Sequence, residues 1–184
     1  MDVDDPLQGA ELDLCAQSRA SQSIDWDALY ADHMPRVYNF MRYRVDDGPV
    51  AEDLTSATFE KAWRARSRYR RDKAAFSTWL FAIARNVATD YFRRQRPVVP
   101  LASVPEQPDG VFVEETVQRQ DDLDRLGALL ARLPGREREL ISLKYGAGLT
   151  NRSIARLTGL SESNVGTILY RVVRRLRAQW ETEQ

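Results

Sequence analysis

The chain has 184 residues, of which 43% are hydrophobic and 29% are charged, a composition typical of a soluble globular protein. No apolar run approaches the roughly 20 residues that a membrane helix needs, and the acidic N-terminus is unlike a secretory signal. We therefore expect no membrane insertion and a cytoplasmic location. A single cysteine, Cys15, and a single histidine, His33, argue against a disulfide, a zinc site or a catalytic triad. We predict no catalytic residues, no metal and no cofactor, and hence a protein that is not an enzyme.

Charge is strongly segregated along the chain although the formal net charge is zero. Residues 1–25 carry six acidic groups against one arginine, and residues 101–125 carry seven against two, so each segment has a net charge of −5. Residues 64–96 carry ten basic groups against two acidic ones, giving +8, and residues 126–177 carry ten against three, giving +7. Two basic blocks that alternate with acidic ones indicate nucleic-acid binding by the basic blocks.

Residues 1–24 contain few large apolar groups and no sustained period, which predicts a disordered acidic tail. Apolar residues at helical spacing then predict a helix from Trp26 to about Arg44, within which Pro35 is a local difficulty. A second helix is predicted to begin at about Pro49. It leads into an arginine-rich segment around Tyr69, where cations beside an aromatic ring would suit a single-stranded nucleic acid. The alternative for that segment is an ordinary solvated loop.

A third helix is predicted from Phe76 to Arg96, before Pro97 stops it. One apolar stripe faces a core and consists of Phe76, Trp79, Leu80, Ile83, Val87 and Tyr91. The remaining faces are basic and favour a phosphate backbone as ligand, although arginines that merely complement the helix dipole would look the same.

A stretch with four prolines and a glycine follows between Pro97 and Gly110, too proline-rich for a helix. We therefore predict an all-α protein with two small helical domains joined by a flexible, acidic, proline-rich linker. The expected divisions are a tail at 1–24, a first domain at 25–96, a linker at 97–120 and a second domain at 121–184.

The second domain is predicted to contain a helix-turn-helix. After a leucine-striped helix that ends at Pro134-Gly135, Thr150 can cap a short helix, Thr158-Gly159-Leu160 supplies a tight turn, and Ser161 can cap a longer basic helix. In this motif the N-terminal part of the second helix reads base edges in the major groove. The alternative is a generic helical hairpin. The residues expected to face DNA are Glu162, Ser163, Asn164, Gly166, Thr167, Tyr170 and Arg171, with Arg174, Arg175 and Arg177 at phosphates.

Three segments resemble the extracytoplasmic-function (ECF) group of the bacterial sigma-70 family, the promoter-specificity subunits of RNA polymerase. They are AEDLTSATFEKAW (Ala51 to Trp63), FSTWLFAIARNVATDYFRR (Phe76 to Arg94), and LPGRERELISLKY together with the helix-turn-helix. The resemblance covers about Trp26 to Trp180. It implies binding to the largest and second-largest subunits of core polymerase and to promoter DNA, and it leaves open whether an anti-sigma factor exists.

The resemblance also implies roles for particular residues, none of them catalytic. Polymerase docking would fall on Glu52, Asp53, Leu54, Phe59 and Trp63. Recognition of the minus-10 strand, including a flipped base, would fall on Tyr69, Arg70, Arg71, Phe76, Trp79, Arg85, Asn86, Arg93 and Arg94. Reading of the minus-35 element would fall on Arg152, Ser161, Ser163, Asn164, Gly166, Thr167, Tyr170, Arg171 and Arg174. In the family the acidic linker threads through the polymerase toward its active-site cleft.

Two departures from the family pattern concern these roles. Gly166 and Ile168 stand on the recognition helix where many members have Lys and Arg, and Ser56 stands where a glutamine is common in the docking helix. Gly166 either permits close approach to DNA or is simply tolerated.

We also expect the acidic tail to fold back on the basic block at residues 64–96, which has a net charge of +8, and to weaken DNA binding.

Two other functions fit parts of the sequence. The helix-turn-helix sequence is also similar to that of regulators that bind DNA without being polymerase subunits. The first half of the chain, however, lacks the strand-rich pattern of a receiver domain. A polymerase-binding protein without promoter recognition would not need the basic second half.

Overall fold

The computed structural model describes residues 25–45, 47–95, 122 and 125–182, and all regular structure in these ranges is helical. The predicted all-α class is confirmed for them, in two helical regions on either side of the linker. The tail with Cys15, the whole predicted linker and Arg96 lie outside the described residues. None of the described helices is both long and apolar enough to cross a membrane.

The chain divides into two compact units, Met1–Asp32 and His33–Gln184. In the first unit, the described residues are the start of the helix at Trp26–Arg44, where the Asp25 carboxylate accepts a hydrogen bond from the Ala28 N–H at 3.0 Å. This side-chain acceptor satisfies one of the N–H groups that a helix start leaves without a partner.

The helices of the first region match the predicted ones closely. Helix α1 spans Trp26–Arg44, α2 spans Gly48–Arg64 and α3 spans Phe76–Arg94. Pro35 lies on an exposed side of α1 and does not end the helix. Asp47 caps α2 by accepting the Val50 N–H at 2.9 Å, and a 3-10 turn at Arg66–Arg68 follows.

The described residues after the linker form four further helices. Helix α4 is helical at residues 125–131, α5 spans Gly135–Ile141, α6 spans Asn151–Thr158 and α7 spans Glu162–Thr182. Helix α5 continues as a π-helical turn at Ser142–Gly146, a feature that apolar periodicity did not predict.

The core of the second unit draws on both helical regions. The rings of Phe40 in α1 and Phe81 in α3 meet edge to face with centroids 5.8 Å apart, and both side chains are fully buried. The same hydrophobic cluster continues through Leu140 in α5 to Ile154 in α6. The two helical regions are therefore packed together in this structure, an arrangement that the sequence left open.

Candidate nucleic-acid interface

The outer face of α2 carries exposed acidic and aromatic side chains. Glu52 and Asp53 are exposed in the second turn. Trp63 is 52% exposed near the end of the helix, with the Arg66 guanidinium 4.1 Å from its ring centroid. Such rings with one polar edge are common at protein interfaces. Among the residues expected to dock on polymerase, Phe59 is half-buried and Leu54 is buried in the core.

An aromatic cluster lies at the start of α3. Tyr69, Phe76 and Trp79 pack with ring centroids between 5.1 and 5.5 Å apart, and His33 meets Phe76 edge to face at 5.1 Å. The Tyr69 hydroxyl donates to the Ala74 carbonyl at 3.2 Å. Tyr69 is only 9% exposed and packs beneath the other rings of this cluster. The sequence had suggested that its ring is exposed and available to stack on a base. The burial of apolar ring surface against two neighbouring rings accounts for the difference.

Four of the five predicted minus-10 cations are exposed, two just before this cluster in sequence and two at the opposite end of α3. Arg70 pairs with Asp72 at 3.2 Å, and the hydrogen bond holds the pKa of that carboxyl below its usual value. Arg93 pairs with Asp90 at 3.3 Å, while Arg71 and Arg94 are exposed. Ion pairs of exposed side chains are weak and exchange readily for phosphates. Asn86, on the same helix, is also exposed.

Arg85 differs from these cations because its guanidinium is engaged by the second region. Its Nε donates to Glu139 Oε1 at 2.6 Å, and its Nη1 donates to the Leu157 carbonyl. The two paired side chains are 29% and 16% exposed, so solvent screens this pair less than the surface pairs. Of the residues predicted for the minus-10 strand, Arg85 is thus directed toward α5 and α6.

The predicted helix-turn-helix is present in α6 and α7. The Thr150 hydroxyl accepts the Ser153 N–H at 3.2 Å, and the Ser161 hydroxyl accepts the Asn164 N–H at 3.2 Å. Between the helices Gly159 has a φ of 73°, a left-handed conformation that glycine adopts without strain. Both predicted caps and the glycine turn are confirmed.

The outer face of α7 presents a row of polar and cationic side chains. Tyr170 is 64% exposed, with the Arg174 guanidinium 5.8 Å from its ring centroid. Gly166 is half-buried, and Arg175, expected at a phosphate, donates to Glu137 of α5. The exposed predicted residues are Arg152, Ser161, Glu162, Ser163, Asn164, Thr167, Tyr170, Arg171, Arg174 and Arg177. Their position on the second helix of the motif fits the major groove.

Three arginines that the sequence analysis did not select join the two regions. Arg36 donates to the Ala147 carbonyl from two nitrogens at 2.9 and 2.8 Å, and Arg44 donates to the Gly135 carbonyl at 3.0 Å. Arg138 donates back to the Tyr43 carbonyl at 2.8 Å. Burial lowers the pKa of Arg44, and the nearby Glu139 opposes that shift. A signal existed for Arg44, since it continues the buried stripe of α1 by one turn.

Both regions match known families. Residues 29–98 match Sigma-70 region 2, and residues 123–176 match Sigma-70, region 4. The chain is 32% identical over 147 residues to the ECF RNA polymerase sigma factor RpoE of Cereibacter sphaeroides, covering 78% of each protein. It is 29% identical to SigM of Bacillus subtilis, covering 83% of the chain and 93% of that relative. It is 31% identical to BldN of Streptomyces coelicolor, covering 90% of the chain and 64% of that relative.

Solved structures share the fold. The sigma factor RpoE of Bartonella quintana, solved with the anti-sigma factor NepR, has a TM-score of 0.68 at 22% identity, covering 87% of this chain and 99% of its own. CnrH, solved with the cytosolic domain of CnrY, has a TM-score of 0.67 at 23% identity, covering 93% of this chain and 97% of its own.

Proposed function

The chain belongs to the ECF RNA polymerase sigma factors, and from that membership we propose that it directs core polymerase to a specific promoter set and helps to melt the minus-10 element. The observation that carries the proposal is the coexistence, in one chain, of two surfaces whose exposed side chains suit nucleic acid. One is the polar face of α7, and the other is the aromatic cluster of α3 with its exposed arginines.

Docking on the polymerase is assigned to the outer face of α2. Glu52, Asp53 and Trp63 are exposed there, and the half-buried Phe59 adds apolar surface beside them. Leu54 lies in the hydrophobic core beneath this face, so its side chain is not available for the contact. An exposed tryptophan flanked by charged residues has the composition of a protein-binding anchor.

Melting is assigned to the surface around Phe76 and Trp79, which are half-buried. No bond chemistry is needed, because tighter binding to the unpaired strand than to the duplex shifts the equilibrium toward melted DNA. The Phe76 and Trp79 rings stack on unpaired bases, and the positive charges of Arg70, Arg71 and Arg94 attract the phosphates of the strand.

Because melting needs no bond chemistry, we assign no catalytic step to this protein. We place its action in the cytoplasm, where bacterial polymerase works.

The minus-35 element is assigned to α7. We place Ser163, Asn164 and Thr167, near the start of α7, at base edges. The exposed Arg171 and Arg174 follow one and two turns after Thr167, and we place them at phosphates. A regulator that is not a polymerase subunit is less favoured, because the first region matches Sigma-70 region 2. The two solved structures named above were determined with partners, in one case the anti-sigma factor NepR, and we propose an anti-sigma partner for this chain as well.

Transcription with purified bacterial core polymerase on a genomic fragment library tests this proposal, with mapping of the transcript 5′ ends. We expect new start sites that share upstream motifs at two fixed positions. The double variant Asn164→Ala, Arg171→Ala should lose these starts while it keeps the polymerase contact. No new starts, together with sequence-specific retention of duplex DNA by the protein alone, would support the regulator instead.

A further inference from the structure

An ion pair between α5 and α7 engages one of the arginines that the sequence analysis placed at phosphates. Arg175 of α7 donates to the Glu137 carboxylate of α5, 38 residues earlier in the chain. The two side chains are 45% and 27% exposed, so the pair lies at the surface but is partly shielded from solvent. Arg174, by comparison, lies over the Tyr170 ring of its own helix. The charge of Arg175 is therefore balanced by a carboxylate from a neighbouring helix.

The pair is built into the packing of α5 and α7. Glu137 lies three residues before Leu140, and Arg175 lies three residues after Val172. Leu140 and Val172 are each 1% exposed and belong to the same hydrophobic cluster. Because residues three apart lie on the same side of a helix, both charged side chains lie at the rim of this packed surface. The packing of the two helices therefore brings the carboxylate and the guanidinium together.

Arg175 also lies beside the surface that we assign to DNA. It follows Arg171, which we place at a phosphate, by four residues, so the two side chains are neighbours on the helix. Four residues correspond to about 6 Å along the helix axis. A guanidinium released at this position would therefore add a phosphate contact next to that of Arg171. Such a contact does not depend on the base sequence.

Transfer of Arg175 from the carboxylate to a phosphate is opposed by two effects. The Glu137 carboxylate would lose its bonded cation in a half-buried position, and an incompletely solvated charge without a partner is unfavourable. The same carboxylate would then be close to the negatively charged phosphates, which repel it. A fully exposed ion pair would lack the first of these costs. Arg175 is therefore expected to stay with Glu137 when α7 binds DNA.

We propose that Glu137 limits the affinity of this protein for DNA: it holds Arg175 away from the phosphates and so removes one sequence-independent contact from α7. A larger share of the binding free energy then comes from base contacts. Fewer molecules are retained on non-promoter DNA, which offers far more sites than promoters do. The importance of this effect at promoters rests on the proposed minus-35 role of α7. The competition between carboxylate and phosphate for Arg175 does not.

The salt dependence of binding to a random-sequence DNA duplex tests the proposal with the full-length chain. The logarithm of the affinity falls linearly with the logarithm of the salt concentration, with a slope of about 0.9 for each phosphate contact. Glu137→Gln should steepen this slope by about 0.9 and raise the affinity several-fold at low salt. The double variant Glu137→Gln, Arg175→Gln should return the slope and the affinity close to the wild-type values, because the released cation is removed with the carboxylate.

Glu181→Gln is the matched control for the loss of one negative charge. Glu181 is exposed near the end of α7, and its removal should leave the slope close to the wild-type value. A wild-type slope steeper than that of the double variant would show that Arg175 contacts a phosphate in spite of Glu137. An unchanged slope in Glu137→Gln would show that the released side chain does not reach one. Either result would overturn the inference and leave the sigma function intact.

A second duplex separates the inference from the proposed function. This duplex carries the upstream minus-35 motif obtained by mapping transcript starts. Glu137→Gln should strengthen binding to it by about the same factor as binding to the random duplex, since a phosphate contact acts on all sequences alike. A gain confined to the motif would assign Arg175 to base reading and contradict the inference. If mapping yields no motif while the random-duplex slopes change as expected, the proposed sigma function fails and the role of Glu137 stands.

Discussion

Gly166 lies beside Thr167, one of the proposed base-reading positions of α7, and its surroundings bear on why glycine is present. A Cβ added there would lie 3.5 Å from Asn151 Nδ2, an ordinary contact, and Gly166 is not among the glycines with positive φ. The added methyl group would point toward the start of α6. The local structure therefore does not require glycine at this position, which favours simple tolerance over close approach to DNA.

We expect Gly166→Ala to raise the free energy of unfolding by about 0.5–1 kcal/mol, because alanine loses less backbone entropy in a helix. Urea denaturation measures this change, and affinity for a minus-35 duplex should remain within about twofold. Ala178→Gly, at an exposed position of the same helix, should lower stability by a similar amount. A stabilised Gly166→Ala variant with more than about tenfold weaker DNA binding would show that DNA needs the glycine.

At the level of single elements, the recognition helix depends on its cap. The Ser161 oxygen accepts the Asn164 N–H at 3.2 Å, so a backbone N–H in the first turn of α7, the end that we propose faces DNA, has a hydrogen-bond partner. Ser161→Ala should cost about 1 kcal/mol of unfolding free energy. Chemical denaturation of the full chain measures it, with Ser163→Ala, which leaves the cap in place, as the control. Equal losses for both variants would mean that the cap contributes nothing specific.

At the scale of the whole molecule, the shared core predicts that the two regions unfold together. Ile154 of α6 is fully buried in the cluster that also contains Leu80 and Phe81 of α3. Ile154→Ala should lower the unfolding free energy by about 2–5 kcal/mol through lost burial and a cavity. Hydrogen exchange should then show faster exchange of the α3 amides in parallel with those of α6. Unchanged protection in α3 would indicate that the regions unfold independently.

Local patterns in the sequence determined the helices and their ends. The bounds of α1, the Ser161 and Thr150 caps and the Gly159 turn follow from interactions within about four residues, which apolar period and residue type report directly. The same reasoning located the two basic surfaces and, through motif resemblance, the sigma family. The acidic tail and the linker lie outside the described residues, so the predictions made for them stand as predictions.

Only the tertiary structure decided which of the predicted side chains are exposed. Tyr69 is buried because Phe76 and Trp79 come together around it, and Arg85 is bonded to the second region because Glu139 lies 54 residues away in sequence but 2.6 Å away in space. The π-helical turn at Ser142–Gly146 and the close approach of Gly146 to the backbone of Asn39 in α1 likewise depend on which elements pack together. Periodicity and charge describe one element at a time, whereas these features arise from pairs of elements far apart along the chain.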